Sequence, residues 1–542
     1  MAVCKLQYYQ SYFSYYTSVD SDNFGTTDGN ANDGFFNPFD VSSYSGGVIN
    51  GSYDPVSSDD ISYDSSTGRV TFSNSGTYMV IFNPSLNLIA SGGGGVGFVD
   101  AKITKNGSTA FDATGNNYYH NTSLVPKQHT FSSLIEVDSD DYLEFFVRTI
   151  SSTKELNSNN GTSVVILRVV GDYGHITYTD ADNGGNTSVI IGNNIATEDR
   201  TILTSSNVTH SSGGFTPPTG ARNYLMFSSF SVLQESGGSE ISVDIDMLED
   251  TSEITDSTLS IQSNQDPFVI SHAILRQFDG TKEGISRATA SGGATFALGK
   301  ATTFGFIDIS TEEAKTGSVF SLSCNNDSSA LGSGDQNCFD NSNWSTINTT
   351  QHVTASGISY TSSNGKIIIS DAGVYLLVSH LIVDQTSSTR DINFYVKQEG
   401  SKIYVSSYSL NANWTPRDLT TAIVVNCAAS DELEFGISDG NTSTFFKAGS
   451  SVSIFKINYG THPSLDTTGR GLTLTEESTP QAQIADDFDL KTFDIDTLTP
   501  QRSRLTDQVP FVLGVPGPLS LRGRCFGQTK EPPIVKPGDK KN

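Results

Sequence analysis

Acidic residues two positions apart recur along this 542-residue chain: Asp138 with Asp140, Asp244 with Asp246, and Asp494 with Asp496. Two carboxyl groups held close together, one protonated as acid and one ionised as base or nucleophile, are the equipment of glycoside hydrolysis. A chain with 59 acidic against 32 basic residues makes such pairs without selecting them, so they read as surface charge. The stretches "DADNG" (180–184) and "DSDN" (20–23) open like calcium loops but have no Glu at the twelfth position. His272 in "ISHAIL" and His380 in "VSHLIV" sit in apolar runs and read as core or interface residues. Among five cysteines, Cys324 and Cys338 could close a loop, while Cys427 in "AIVVNCA" reads as a small buried core residue. The chain has no His-Glu-x-x-His, no Walker loop and no Gly-x-Ser-x-Gly elbow. The expectation is therefore no catalytic residue, no bound metal and no cofactor.

The elements that would carry any site are strands. Charged residues are only 17% of the chain and Gly numbers 50, with Ser, Thr and Asn filling much of the rest. Val, Ile, Phe, Tyr and Thr come in short runs bounded by Gly, Asn, Asp and Ser, the signature of an all-β sandwich or barrel. No long stretch has helical periodicity. A net charge of −27 argues against nucleic acid as a partner, because phosphate binding is driven by Lys and Arg. No run approaches the ~18 apolar residues of a membrane span, so membrane insertion is not expected. The opening "MAVCKLQYYQ" lacks the apolar segment of a secretory signal, which leads to the expectation of synthesis in a cytoplasm without export.

One stretch occurs twice. "ISYDSSTGRVTFSNSGTYMV" (61–80) returns as "ISYTSSNGKIIISDAGVYLL" (358–377), keeping Ile61, Tyr63, Gly68, Gly76 and Tyr78 as Ile358, Tyr360, Gly365, Gly373 and Tyr375. Downstream, "KNGS" answers "QEGS", "DSDDYLEF" answers "ASDELEF", and "SVVILRV" answers "SVSIFKI". Strands are kept and loops drift, so this is a duplicated domain. In "GTYMVIF" (76–82) and "GVYLLV" (373–378) both alternating sets of side chains are apolar, so neither face suits water. One face can serve the sandwich core. The other needs a cover, either a second subunit or a loop or neighbouring domain of the same chain.

The order of a Gly-aromatic strand ("SGTYMVIF", "AGVYLLVS"), a strand ending in a Gly turn, a "DYLEF" or "DELEF" turn and strand, and a last apolar strand resembles the globular module shared by C1q and tumour necrosis factor. The resemblance covers about residues 35–172 and 336–460. It implies a ten-stranded jelly roll that associates in threes through the outer face of the Gly-aromatic sheet. On that reading the protein is a homotrimer with Tyr78, Val80, Phe82, Tyr375 and Leu377 at the interface. No calcium-binding or receptor residue carries over, because no loop motif matches.

The remaining segments complete an all-β chain of tandem jelly-roll sandwiches, two C1q/TNF-like modules around a further β-sandwich, with extended terminal arms. Residues 1–34 form an aromatic N-terminal arm, 173–194 a linker, 195–310 a middle β-sandwich, 311–335 a linker, and 461–542 a C-terminal arm. The middle unit reads as either a diverged jelly roll or a different sandwich. In the C-terminal arm, eight basic residues face three acidic ones over residues 501–542, and Pro510, Pro516 and Pro518 forbid a helix. Val512, Leu513, Val515, Leu519 and Leu521 suit a groove, and Arg522 and Arg524 suit acidic groups beside it, so the arm is expected to anchor the protein.

Three function classes fit. The first is a non-enzymatic structural protein of a virus particle, such as a phage head decoration, fibre or spike, located in the virion and docked on other virion proteins of the capsid, tail or neck. The second is a C1q-like carbohydrate or protein recognition module, and the third a polysaccharide depolymerase. The first accounts for the tandem modules, the uncharged polar surface and the arm together, and leaves a host surface glycan as a further candidate partner.

Overall fold

The computed structural model describes residues 11–17, 35–40, 55–90, 96–114, 118–121, 127–150, 154–181, 184–193, 200–236, 240–262, 268–309, 318–341, 349–354, 357–412 and 416–458. All regular structure among them is strand, arranged as jelly-roll sandwiches. Residues 10–457 form one compact unit.

The repeated stretch builds a buckle at the rim of the first and third sandwiches. Gly68 and Gly365 lie at φ +66° and +69°, a backbone region that glycine enters without a steric penalty. Beside them pack Asn37 and Asn337, each accepting the backbone N–H two residues on, of Phe39 (3.0 Å) and Phe339 (3.1 Å). Tyr63 and Tyr360 donate their hydroxyls to the carbonyls of those same phenylalanines. A Cβ on either glycine would meet the neighbouring Asn at 2.4 and 2.6 Å.

Three sandwiches follow one plan. In each, an inner sheet contains an opening strand (Tyr12–Tyr16, Tyr173–Tyr178, Val319–Cys324), a closing strand (Ser163–Arg168, Thr303–Asp308, Ser451–Asn458), a Gly-aromatic or central strand (Gly76–Asn83, Arg222–Ser236, Gly373–Gln385) and an edge strand (Phe131–Val137, Phe268–Phe278, Arg417–Cys427), in the order opening, closing, central, edge. The outer sheets match likewise, with Tyr142–Thr149, Gly284–Ala290 and Glu432–Ser438 in equivalent places. The middle unit is thus a third jelly roll of the same topology. Its central strand carries Tyr224 where the others carry Tyr78 and Tyr375.

Three segment boundaries are corrected. Tyr12–Tyr16 is not part of a separate arm: it pairs with the closing strand from Tyr12↔Leu167 to Tyr16↔Ser163, and all five of its residues are buried. The stretch 173–194 contains the opening strand of the second sandwich, and 311–335 contains that of the third. These strands are short and flanked by Gly, Asn, Asp and Ser, whose turn signal dominates any window drawn across them.

Alternation separates the sheets. The outer strand Tyr142–Thr149 buries every second residue, whereas Gly373–Gln385 is buried almost throughout. In the first sandwich the corresponding strand stops at Pro84, which has no N–H for the ladder, and resumes as Ser85–Ala90 in a small separate sheet.

The two faces of the central strands serve different cores. Tyr78, Val80 and Phe82 lie in the core of the first sandwich, and Tyr375 and Leu377 in that of the third. These five residues, expected at a contact between chains, are corrected to interior positions. Their rings fill the gap between sheets, with Phe72 and Tyr78 at 4.6 Å and Phe82 and Phe145 at 5.3 Å between centroids. The alternate residues Met79, Ile81, Leu225, Phe227, Leu376 and Val378 meet in one cluster shared by all three sandwiches.

That cluster closes a ring. The first edge strand packs on the second inner sheet, the second edge strand on the third, and the third edge strand on the first. Each contact is head-to-tail, and three of them close. The three-fold association that the resemblance implied between chains is met inside one chain, by a neighbouring domain at each face.

Phe227 is accommodated in the shared cluster because its neighbour on the closing strand is Gly305, where a Cβ would lie 2.0 Å from the ring. Gly305→Val should destabilise the protein by about 1–3 kcal/mol through overpacking. In a double-mutant cycle read by chemical denaturation, adding Phe227→Ala should recover part of that loss; strict additivity would show that the two positions do not share space.

Candidate functional site

The ring axis collects the chemistry that the sequence scattered. Beyond its apolar layers the three sandwiches turn polar residues inward, and these join across the junctions. Ser132 of the first edge strand lies 3.0 Å from Ser229 and 3.2 Å from Thr303 of the second sandwich, hydroxyl to hydroxyl. Ser229 and Ser271 both donate to the Thr130 carbonyl, at 3.1 and 2.9 Å. Thr420 of the third sandwich donates to the Ser271 carbonyl at 3.2 Å, and Thr130 donates to the Thr420 carbonyl at 3.4 Å. The Ser271 amide donates to the Asp418 carboxylate at 3.0 Å. Hydroxyls serve here because each is donor and acceptor in one small group, so they link buried groups without adding charge of their own.

Opening strands close two junctions in equivalent ways. At the third-to-first contact the Val424 amide donates to Ser14 Oγ at 3.1 Å; at the first-to-second contact the Leu134 amide donates to His175 Nε2 at 3.3 Å. Ser14 and His175 hold the same place, opposite Val165 and Gly305 of their closing strands. Tyr404 of the third sandwich reaches the Gly161 carbonyl at 2.8 Å, and its ring lies 5.2 Å from that of Tyr16. Lys300 pairs with Asp112 between the second and first sandwiches.

His272 and His380, read from sequence as core or interface residues, meet at the second-to-third junction with ring centroids 4.6 Å apart. Burial pulls His272 down to about 3 and His380 well below the usual imidazole range. Burial raises the Asp418 carboxyl to about 6.

Among the described residues the acidic pairs lie on separate sandwiches, Asp138 and Asp140 in the turn after Phe131–Val137 and Asp244 and Asp246 on Glu240–Glu249. Asp246, on strand Glu240–Glu249, is held by Arg287, which also pairs with Glu253 at 3.2 Å. Burial raises its carboxyl, and Arg287 pulls in the opposite direction. Asp140 takes a turn conformation at φ +72°, and Asp494 and Asp496 lie outside the described residues. Among the described residues no three His, Cys, Asp or Glu side chains cluster as metal ligands, and no helix is long and apolar enough to cross a membrane. Cys324, Cys338 and Cys427 are buried free thiols in the third sandwich, with Cys324 and Cys338 Sγ atoms 4.0 Å apart. Burial raises the Cys338 and Cys427 thiols, the latter to about 12. The arm residues Val512, Leu513, Val515, Leu519, Leu521, Arg522 and Arg524 lie outside the described residues.

Sequence reasoning missed Thr130, Ser132, Ser229, Ser271 and Thr420, since serine and threonine are everywhere in this chain. One signal was present. Ser229 in "MFSSFSV" and His380 in "LVSHLIV" are polar residues on strands buried on both faces, where a polar side chain calls for a polar partner, and each meets one.

No protein-family model and no curated protein matches the chain. Among solved structures it is similar to murine APRIL, at 16% identity over 26% of this chain and 98% of that one, with a TM-score of 0.20. Eiger TNF from S. frugiperda is 12% identical over 28% of this chain and 98% of that one, also at 0.20. A structure described as the triple jelly roll fold and turret assembly of an archaeal virus is 10% identical over 76% of this chain and 87% of that one, at 0.14. At these identities the likeness is one of fold alone.

Ser229→Ala removes the hydroxyl that joins Ser132, Ser271 and the Thr130 carbonyl. The expected cost is about 1–3 kcal/mol, because the partners stay buried without it. Thermal unfolding at fixed pH measures it, and a change below about 0.5 kcal/mol would show that the network does not hold the junction.

Proposed function

We propose that this chain is a non-enzymatic structural protein of a virus particle, a phage head decoration, fibre or spike, in which one chain supplies a complete trimer-like projecting unit. The observation that supports the reading is the closed ring: the apolar faces that would bind further copies are spent on one another. The described carboxylates of the body are largely engaged in turns and ion pairs, and the sequence adds a C-terminal segment of contrasting charge and composition. The modules project, and residues 461–542 dock on capsid, tail or neck proteins. The particle is the place of residence and the host cytoplasm the place of synthesis.

Two measurements bear on this reading. Light scattering on the purified chain should return its own mass of 58.0 kDa, with the ring supplying the three-fold unit. A stable species three times heavier would mean that further faces associate. Removing residues 461–542 should leave the melting temperature of the body unchanged and abolish incorporation into particles. Retained incorporation at full occupancy would exclude this segment as the anchor.

The non-enzymatic part has its own test. Host capsule and cell-wall polysaccharides should keep their length on incubation with the full chain. Shortening that disappears in Asp246→Asn would identify a depolymerase.

A further inference from the structure

Two of the three junctions are built on imidazoles, and the third is not. At the first-to-second junction His175 Nε2 accepts the Leu134 N–H, which requires a neutral ring with its proton on Nδ1, beside Thr177 Oγ1 at 3.3 Å. An imidazolium carries N–H on both nitrogens and cannot accept. At the second-to-third junction Thr420 Oγ1 gives its proton to the Ser271 carbonyl, so it accepts from His380 Nδ1 at 2.8 Å. The His272 ring lies tilted against that histidine, at 32° between planes, and His352, 2.7 Å from Ser323, lies on the Thr349–Thr354 strand that packs against the His272 strand. Two adjacent imidazoliums would place like charges together in a buried site. The third-to-first junction does the equivalent work with Ser14 Oγ, which does not titrate.

We propose that the ring is an acid-sensitive closure: protonation of His175, His272 and His380 opens the two junctions that flank the second sandwich, while each sandwich keeps its own core and the serine-built junction stays shut.

The surrounding charges have defined places. Around His175 the neighbouring strands carry Glu136, which is exposed, Arg200, and Asp308, which is paired with Arg222 at 2.8 Å. Around His272, His352 and His380 stand Arg276, paired with Glu249 at 2.8 Å, and Asp418, with Arg417 and Lys127 beside it.

The direction follows from the shifts. Burial holds His175 and His272 at about 3 and His352 at about 4, against about 6.5 for an exposed ring. Closure therefore favours the neutral ring; its contribution is whole above about pH 6.5 and falls as pH drops from there. Asp418 acts the other way, because its carboxyl at about 6 takes up a proton in the closed form before an exposed one would. Each imidazole that must charge lowers the closed-to-open ratio about tenfold per pH unit. His175, His272 and His380 act in the same direction against the single Asp418 carboxyl, so the closed-to-open ratio falls more steeply with acid than one imidazole alone would make it.

The test uses the full chain, titrated from pH 7.5 to 4, with the radius of gyration from small-angle X-ray scattering and far-ultraviolet circular dichroism followed together. Expansion with the strand signal retained is the expected result. No expansion above pH 4, or expansion only with simultaneous loss of the strand signal, overturns the proposal. His175→Gln, which keeps a side-chain acceptor that does not titrate, should move the midpoint to lower pH and remove about one tenfold step per pH unit from the slope. If that variant does not fold, hydrogen exchange on the wild-type chain decides. After correction for intrinsic rates, acid should speed exchange at the Leu134 amide and spare that of Val424; equal acceleration at both overturns the proposal.

Discussion

Every second residue of the three central strands belongs to a core that no single sandwich can complete. A strand pleat sends successive side chains to opposite faces, and here both faces are apolar. Met79, Leu225 and Leu376 are buried only because their counterparts in the other two sandwiches are present. Apolar area withdrawn from water is the main favourable contribution to folding, so the ring adds the burial of the axial faces to the core that each sandwich forms between its own two sheets. The same condition ranks the side chains by size. Large rings take the roomy space between the sheets of one sandwich, and mostly smaller chains take the axis, where three sheets converge.

Head-to-tail closure explains why small exchanges recur around the ring. Tyr16 of the first sandwich enters the core of the third, Ile382 of the third enters that of the second, and Val269 of the second enters that of the first. Each module lends a side chain to the module before it. Joining the modules covalently makes each of these contacts intramolecular, so closure does not depend on protein concentration.

The all-β class, the duplicated module and the two-faced strands were legible because they rest on alternation and on turn residues whose backbone needs are local. Gly68 and Gly365 are legible in that sense: a positive φ beside an Asn allows little else. The choice of which face looks outward was not legible. Tyr78 and Met79 are both acceptable core residues, and only the width of the space on each side distinguishes them. The third jelly roll was hidden because its central strand enters through "RNYL" where the others show Gly, two residues before Tyr, so the motif that identified its neighbours is missing. The polar axial residues were hidden by abundance. A serine that completes a buried network is identical in sequence to one that faces water.

On a true three-fold axis every side chain meets its own copies. A histidine there faces two histidines, and a lone donor has no acceptor of a different kind to answer it. Fusion of the three units in one chain lifts that rule. The place held by His175 in one module is held by Ser14 in another, and a contacting pair of imidazoles needs no third member. Symmetry of shape is kept while symmetry of chemistry is given up, so each third of the molecule is free to change its surface without imposing the same change on the other two.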